Sequence, residues 1–283
     1  MAFRFDLSVA PGAEARRVLV EQTDRALHAL NDPDGPGNVH TARKSLKRCR
    51  ALLALVRRGL RRKKVDALNM LYRDAGRLLS GARDAEVARK VLAIVVTEAK
   101  IPKYASLLPV VDKHTDPADV KIARAMLEDA RARLEKLAWG SLSEEVILGG
   151  LERSYARARQ DLARTRSTSD PEVVHDWRKR VKAWGYHLQL VRGVWPVMME
   201  PLLAVVDDLQ EALGDHHDVS VVREAVLAET GKVPPRLAKA LTAREDRFVA
   251  TAWSLGGPLL AARPEVHSEW FGALWAEASR PAS

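Results

Sequence analysis

The chain has 283 residues, with 46 Lys plus Arg against 37 Asp plus Glu, a formal charge of +9 and a pI of about 9.8. A hydrophobic content of 47% excludes wholesale disorder, and the single cysteine, Cys49, excludes an intramolecular disulfide and a cysteine-rich zinc site. No run approaches 18 uninterrupted apolar residues and Met1-Ala-Phe-Arg-Phe-Asp lacks a signal peptide's apolar stretch, so the expectation is a cytoplasmic protein with no membrane contact and a polyanionic partner.

In chain order, apolar residues recurring at three and four predict helices over 12–31, 38–60, 66–80, 83–98, 118–136, 141–166, 171–192, 199–213, 216–229, 234–255 and 259–278. Alternating β-branched runs are almost absent. Pro and Gly fall between these segments, as at Asp116-Pro117, Asp170-Pro171, Pro234-Pro235 and Gly256-Gly257-Pro258. The fold class is therefore all-α.

The chain also repeats itself. Residues 39–57, VHTARKSLKRCRALLALVR, align without a gap to 174–192, VHDWRKRVKAWGYHLQLVR, with nine of nineteen positions identical. A second block, LLSGARDAEVAR at 78–89, matches ALGDHHDVSVVR at 212–223 and pairs Asp84 with Asp218. His40 precedes Asp84 by 44 residues and His175 precedes Asp218 by 43. Two matching blocks in the same order indicate duplication of a helical unit: one domain over 1–283, made of an N-terminal repeat over 1–137 and a C-terminal repeat over 138–283.

On a helical wheel, His40, Arg43, Lys44, Lys47 and Arg50 fall within about 120°. Ala42, Leu46, Cys49, Leu53 and Val56 lie opposite, as a core stripe does. The second copy repeats this with His175, Arg178, Lys179 and Lys182 against Trp177, Val181, Trp184 and Leu188. Between Asp34 and Asp66 stand eleven Lys or Arg and no acid. A merely solvated face has no reason to keep His, Arg, Lys and Lys at one spacing twice. Two such helices together would line a basic groove, with Arg forks and Lys ammoniums gripping phosphate oxygens and His adding a pH-dependent charge.

Other chemistry has less support. His216, His217 and Asp218 invite a metal, but adjacent histidines point about 100° apart on a helix, and the position of His217 is Arg83 in the other copy. Asp84 and Asp218 are expected to cap the following helix or to orient a basic residue. Asp207, Asp208, Glu211 and Asp215 read as a solvated face or as partners for the cluster at 57–64. Cys49 falls on the apolar face, where a thiol is inert, and most of the seven Trp occupy core positions. No catalytic residue, metal or cofactor is expected.

At these residues the sequence resembles the CHAD family, the conserved histidine α-helical domain. The likeness rests on VHTARKSLKRCRALL, ARDAEVAR, VHDWRKRVKAWGYHLQL and LQEALGDHHDVSVVR, with LERSYARARQDLA at 151–163 similar to the family's mid-domain helix. The resemblance implies two four-helix bundles related by pseudo-twofold symmetry around a basic central cavity. It also implies binding of inorganic polyphosphate there and, for some members, targeting to polyphosphate granules. The ligands it implies are His40, Arg43, Lys44, Lys47 and Arg50 in the first repeat and His175, Arg178, Lys179, Lys182 and His217 in the second. Arg77, Arg83, Arg153 and Arg157 come from neighbouring helices. The second copy has Ala183, Trp184 and Gly185 where the first has Arg48, Cys49 and Arg50, so that half is expected to grip more weakly. Residues 1–11 lack the Glu-x-Glu-x-Lys pattern of a fused triphosphate-tunnel domain, which points to the standalone form.

Two alternatives remain beside non-catalytic polyphosphate binding. One is a general nucleic-acid or polyanion binder, for which weak nucleic-acid binding through Arg61, Arg62, Lys63 and Lys64 is the expectation. The other is a metal-dependent phosphohydrolase, which would need a carboxylate pair that the repeats do not obviously supply.

Overall fold

The computed structural model describes residues 3–33, 35, 37–109, 116–168 and 170–280, and only the backbone of 81–84. Among the described residues there are ten α-helices and no strand: α1 Pro11–Ala29, α2 Asn38–Leu55, α3 Arg62–Leu78, α4 Gly81–Glu98, α5 Pro117–Leu134, α6 Glu144–Thr165, α7 Pro171–Val191, α8 Pro196–Thr230, α9 Pro235–Leu259 and α10 Pro264–Ala278. Six of them begin with proline, whose fixed φ suits the first helical turn and whose missing N–H is an orphan there anyway. At α5 and α7 the preceding Asp116 and Asp170 complete the signal, each accepting a hydrogen bond from the backbone N–H two residues on.

Helices α2 and α7 sit deepest. Leu46, Cys49 and Leu53 on α2, and Trp177, Val181, Trp184 and Leu188 on α7, are all buried. Each such side chain contributes roughly 1.5–3 kcal/mol by leaving water. Helix α2 packs on α1 and α3, and α7 on α6 and α8; α2 also packs on α7, and α4 on α8. The N-terminal segment joins the core through Phe3 and Phe5, with Phe5 N–H donating to Leu190 O at 2.8 Å.

Two hydrophobic cores result. The larger takes in α1, α2, α3, α5, α6, α7 and α10, with the first half of α8 and the last part of α9. The smaller joins Ala88, Leu92 and Val95 of α4 to Val219, Val222 and Val226 of α8 and Leu237 and Leu241 of α9.

The predicted 38–60 helix ends at Leu55 and the predicted 259–278 helix begins at Pro264, and continuity differs in two further places. Residues 199–213 and 216–229 do not form separate helices: α8 runs unbroken over 35 residues, about 52 Å at 1.5 Å per residue. Gly214 sits inside it without a turn, because both halves have a core to pack against. Likewise α9 continues through Gly256-Gly257-Pro258 to Leu259. Gly256 is there for space, since a Cβ would lie 2.7 Å from the Trp177 ring.

Candidate anion-binding site

The first repeat's basic residues face two ways. Towards α3, Arg43 Nη1 donates to Leu79 O at 3.0 Å, holding the carbonyl at which α3 ends. One face further along, Arg50 Nε donates to Asn69 Oδ1 at 3.1 Å. Burial, reinforced by Arg73 and Arg77, lowers the Arg50 guanidinium's pKa. Arg73 and the exposed Arg77 share one acid, Asp74, at 2.8 and 3.7 Å. Lys47 is exposed between these arginines along α2. His40 and Lys44 point elsewhere, into a cleft against α7.

On α7 the arrangement is tighter. The rings of His175 and His217 stack with centroids 4.4 Å apart and planes 30° from parallel. Burial, aided by Arg178, His175, His216 and Lys182, pushes His217 down to about 4, and burial likewise lowers His175. Arg178 is mostly buried against α8, close enough that a Cβ on Gly214 would lie 4.0 Å from its Nε. Burial lowers Arg178 while the Asp218 carboxylate opposes that. Asp218 lies in mid-helix and caps nothing, so of its two expected roles only the pairing with a basic residue fits. Lys179 is 3.0 Å from Asp176. His216 diverges from His217, buried near Glu245 and Asp246 of α9. The side chains of Arg83 and Asp84 lie outside the described residues.

Two lateral clefts flank the α2–α7 contact. The first, of about 410 Å³, is lined by Arg25, His40, Lys44 and Arg48, with Gln189 and Arg192 from the end of α7. The second, of about 530 Å³, is lined by Arg57, Arg58, Arg62, Arg153, Arg157 and Arg180, above Gly150, Ala54 and Ala183. Their positions correspond through the sequence repeat: Ser45 with Arg180, Arg48 with Ala183, Ala54 with Gln189 and Arg57 with Arg192. The second copy loses cations at Ala183 and Gly185, where the first has Arg48 and Arg50, and regains one at Arg180.

The CHAD domain family model matches residues 13–227. The chain belongs to the CHAD family. The crystal structure of the CHAD domain from the plant Ricinus communis superposes on this CHAD chain with a TM-score of 0.61 at 19% identity, covering 98% of this chain and 95% of that one. At that identity the likeness concerns the fold. No curated protein matches.

Within this CHAD fold the candidate residues occupy four places. Arg43, Lys47, Arg50 and Arg77 gather where α2 meets α3. His175, Arg178, Lys182 and His217 gather where α7 meets α8. His40 and Lys44 line the first lateral cleft, and Arg153 and Arg157 the second. Sequence reasoning did not single out Arg58 and Arg180, which line the second cleft; for Arg180 the repeat alignment carried the signal, since it stands opposite Ser45 beside Arg178 and Lys179. The field at 57–64 is also partly compensated locally, with Asp66 at 2.7 Å from Arg57 and 3.6 Å from Arg62. The acidic face of α8 does not serve it; Asp207 lies near Lys44 instead.

Cys49 is buried beside Thr23 and Tyr72, and burial pushes its thiol up to about 12, which leaves it unreactive. Trp139, Trp177, Trp184 and Trp275 are core residues, whereas Trp195 and Trp270 are exposed. No helix among the described residues is long and apolar enough to cross a membrane.

Proposed function

We propose that this CHAD domain binds inorganic polyphosphate without turning it over, in a basic cavity between two duplicated four-helix bundles, and that this binding can hold the protein at polyphosphate granules. The observation that carries the reading is the matched placement of Arg43 and Arg178. Arg43 reaches the Leu79 end of α3, and Arg178 reaches Gly214 on α8, neighbouring positions in the aligned second block of the repeat. Pseudo-twofold symmetry is supported by α2 packing on α7 and α4 on α8, contacts between equivalent elements such as a twofold axis generates. The corresponding lateral clefts support it too. A join near 137–138 is supported by the short turn at Trp139–Ser141 between α5 and α6.

A polymer of regularly spaced phosphates suits cations presented twice in register, because each contact adds modestly and releases a counterion. The nucleic-acid reading has one observation of its own, the exposed run Arg61, Arg62, Lys63 and Lys64 at the start of α3.

The test is titration of labelled long-chain polyphosphate against two double variants. Arg43→Ala with Arg178→Ala, and Lys47→Ala with Lys182→Ala, should each weaken binding at least tenfold and flatten the slope of log affinity against log salt by about one to two units. Unchanged affinity in both variants would contradict the reading. Replacing residues 61–64 with alanine should lower duplex-DNA affinity more than polyphosphate affinity.

A further inference from the structure

We propose that the lateral arginine cleft between α2, α6 and α7 is a second anion site, separate from the faces that carry the repeated basic residues, and that it takes a compact condensed phosphate of a few phosphoryl groups. The proposal rests on the preceding one only for the class of ligand.

Three observations carry it. First, charge: six arginines from three stretches of chain line the cleft, and the acids paired with them are Asp66, shared by Arg57 and Arg62, and Asp161, at 3.5 Å from Arg180. Arg58, Arg153 and Arg157 have no carboxylate partner among the described residues. Second, Arg153 is partly buried and its Nη2 has no hydrogen-bond partner there. An orphaned buried guanidinium N–H costs free energy unless something accepts from it. Third, construction: Gly150 lets α6 approach α2 so closely that a Cβ would lie 2.2 Å from Leu55 O. That approach brings Arg153 and Arg157 within range of Arg58. Burial, with Arg58 and Arg157, lowers the Arg153 guanidinium's pKa, the signature of cations gathered without a counter-charge.

The cleft is distinct from the face that carries Arg178. Around α7, Arg180, Ala183 and His187 centre about 130° from His175, Arg178 and Lys182. The buried His187 lies beneath the arginines with Nε2 2.9 Å from Ala51 O. Guanidinium forks converging from three walls suit the dense charge of adjacent phosphoryl groups, each able to accept two parallel N–H bonds. A long chain would need an open path; a short one would need only this bay.

Calorimetric titration of the whole chain with tripolyphosphate, and separately with long-chain polyphosphate, tests it. Arg58→Glu reverses the charge of an exposed arginine that makes no ion pair, and should weaken tripolyphosphate at least tenfold while changing long-chain affinity by less than about threefold. Lys47→Ala with Lys182→Ala should do the reverse. Arg25→Ala, in the other cleft, should leave tripolyphosphate unchanged. Unaltered tripolyphosphate binding in the Arg58→Glu variant would overturn the second site. Loss of both ligands together in the Lys47/Lys182 variant would overturn its independence. Normal long-chain binding in that variant, with tripolyphosphate lost only from the cleft variant, would count against the central cavity and leave the cleft standing.

Discussion

Arg43 and Arg178 stand at matching positions of the two copies and meet different backbones. Arg43 supplies a hydrogen bond to the carbonyl at the end of α3, whereas Arg178 lies along an unbroken α8 with Asp218 nearby. Arg43→Ala should therefore cost about 1 kcal/mol of stability as well as affinity. In a chain of this size that is a fall in Tm of roughly 2–4 °C, measurable by calorimetry.

The histidines make acid the revealing variable. His187, His217 and His267 are all pushed down to about 4, chiefly by burial, so the folded chain binds fewer protons than the unfolded one between the ordinary histidine value and about 4. Stability is thus full above the unfolded value of about 6.5 and is lost as pH falls towards 4. His267→Phe, at a ring stacked on Tyr155 with centroids 4.0 Å apart, should flatten the fall in Tm over that window while leaving Tm at pH 7 within a few degrees. Phosphates acting on the His175–His217 pair work in the opposite direction. They favour the imidazolium, so binding takes up protons and affinity should rise as pH falls towards the His217 value of about 4. In His175→Asn with His217→Asn that rise should be absent from the titration.

At the scale of elements, the legible parts were those with local chemistry. Proline after Asp marked the starts of α5 and α7, and the three-and-four spacing marked the buried stripes of α2 and α7. What escaped was continuity. Leu79 and Ser80 separate α3 from α4, while Leu213 and Gly214 at the aligned place do not interrupt α8, and composition alone does not distinguish them. Tertiary packing decides, because α8 has a core on each side of Gly214. Gly214→Ala places a Cβ at an ordinary 4.0 Å from Arg178 Nε and removes a helix-interior glycine. It should therefore raise stability by up to about 1 kcal/mol. Gly150→Ala, at a helix contact with no room for a Cβ, should lower it by about 1–3 kcal/mol. Denaturant melts of the two variants should shift in opposite directions. The site was legible as a list of residue types but not as a partition, because which face of a helix meets which neighbour is set by long-range packing.

The whole molecule joins a large core to a small one through α8 and α9, each of which contributes to both. Few apolar side chains hold α4 against the far half of α8, so this region should open locally before the rest. Hydrogen exchange should show lower protection over 88–108 and 219–241 than in α2, α6 and α7, and long-chain polyphosphate should slow exchange in α2, α7 and the flanking parts of α3 and α8. Protection confined to the exposed start of α3 would point to a surface polyanion contact instead.

The most direct test of the central claim is a salt-resolved competition in which labelled long-chain polyphosphate is displaced by unlabelled polyphosphate, duplex DNA, single-stranded RNA or ATP, with and without a chelator, while phosphate release is followed. A metal-free binding cavity predicts selective displacement by polyphosphate at every salt concentration, no effect of chelator and no phosphate released. Equal displacement by DNA across the salt series, or chelator-sensitive release of phosphate, would contradict it.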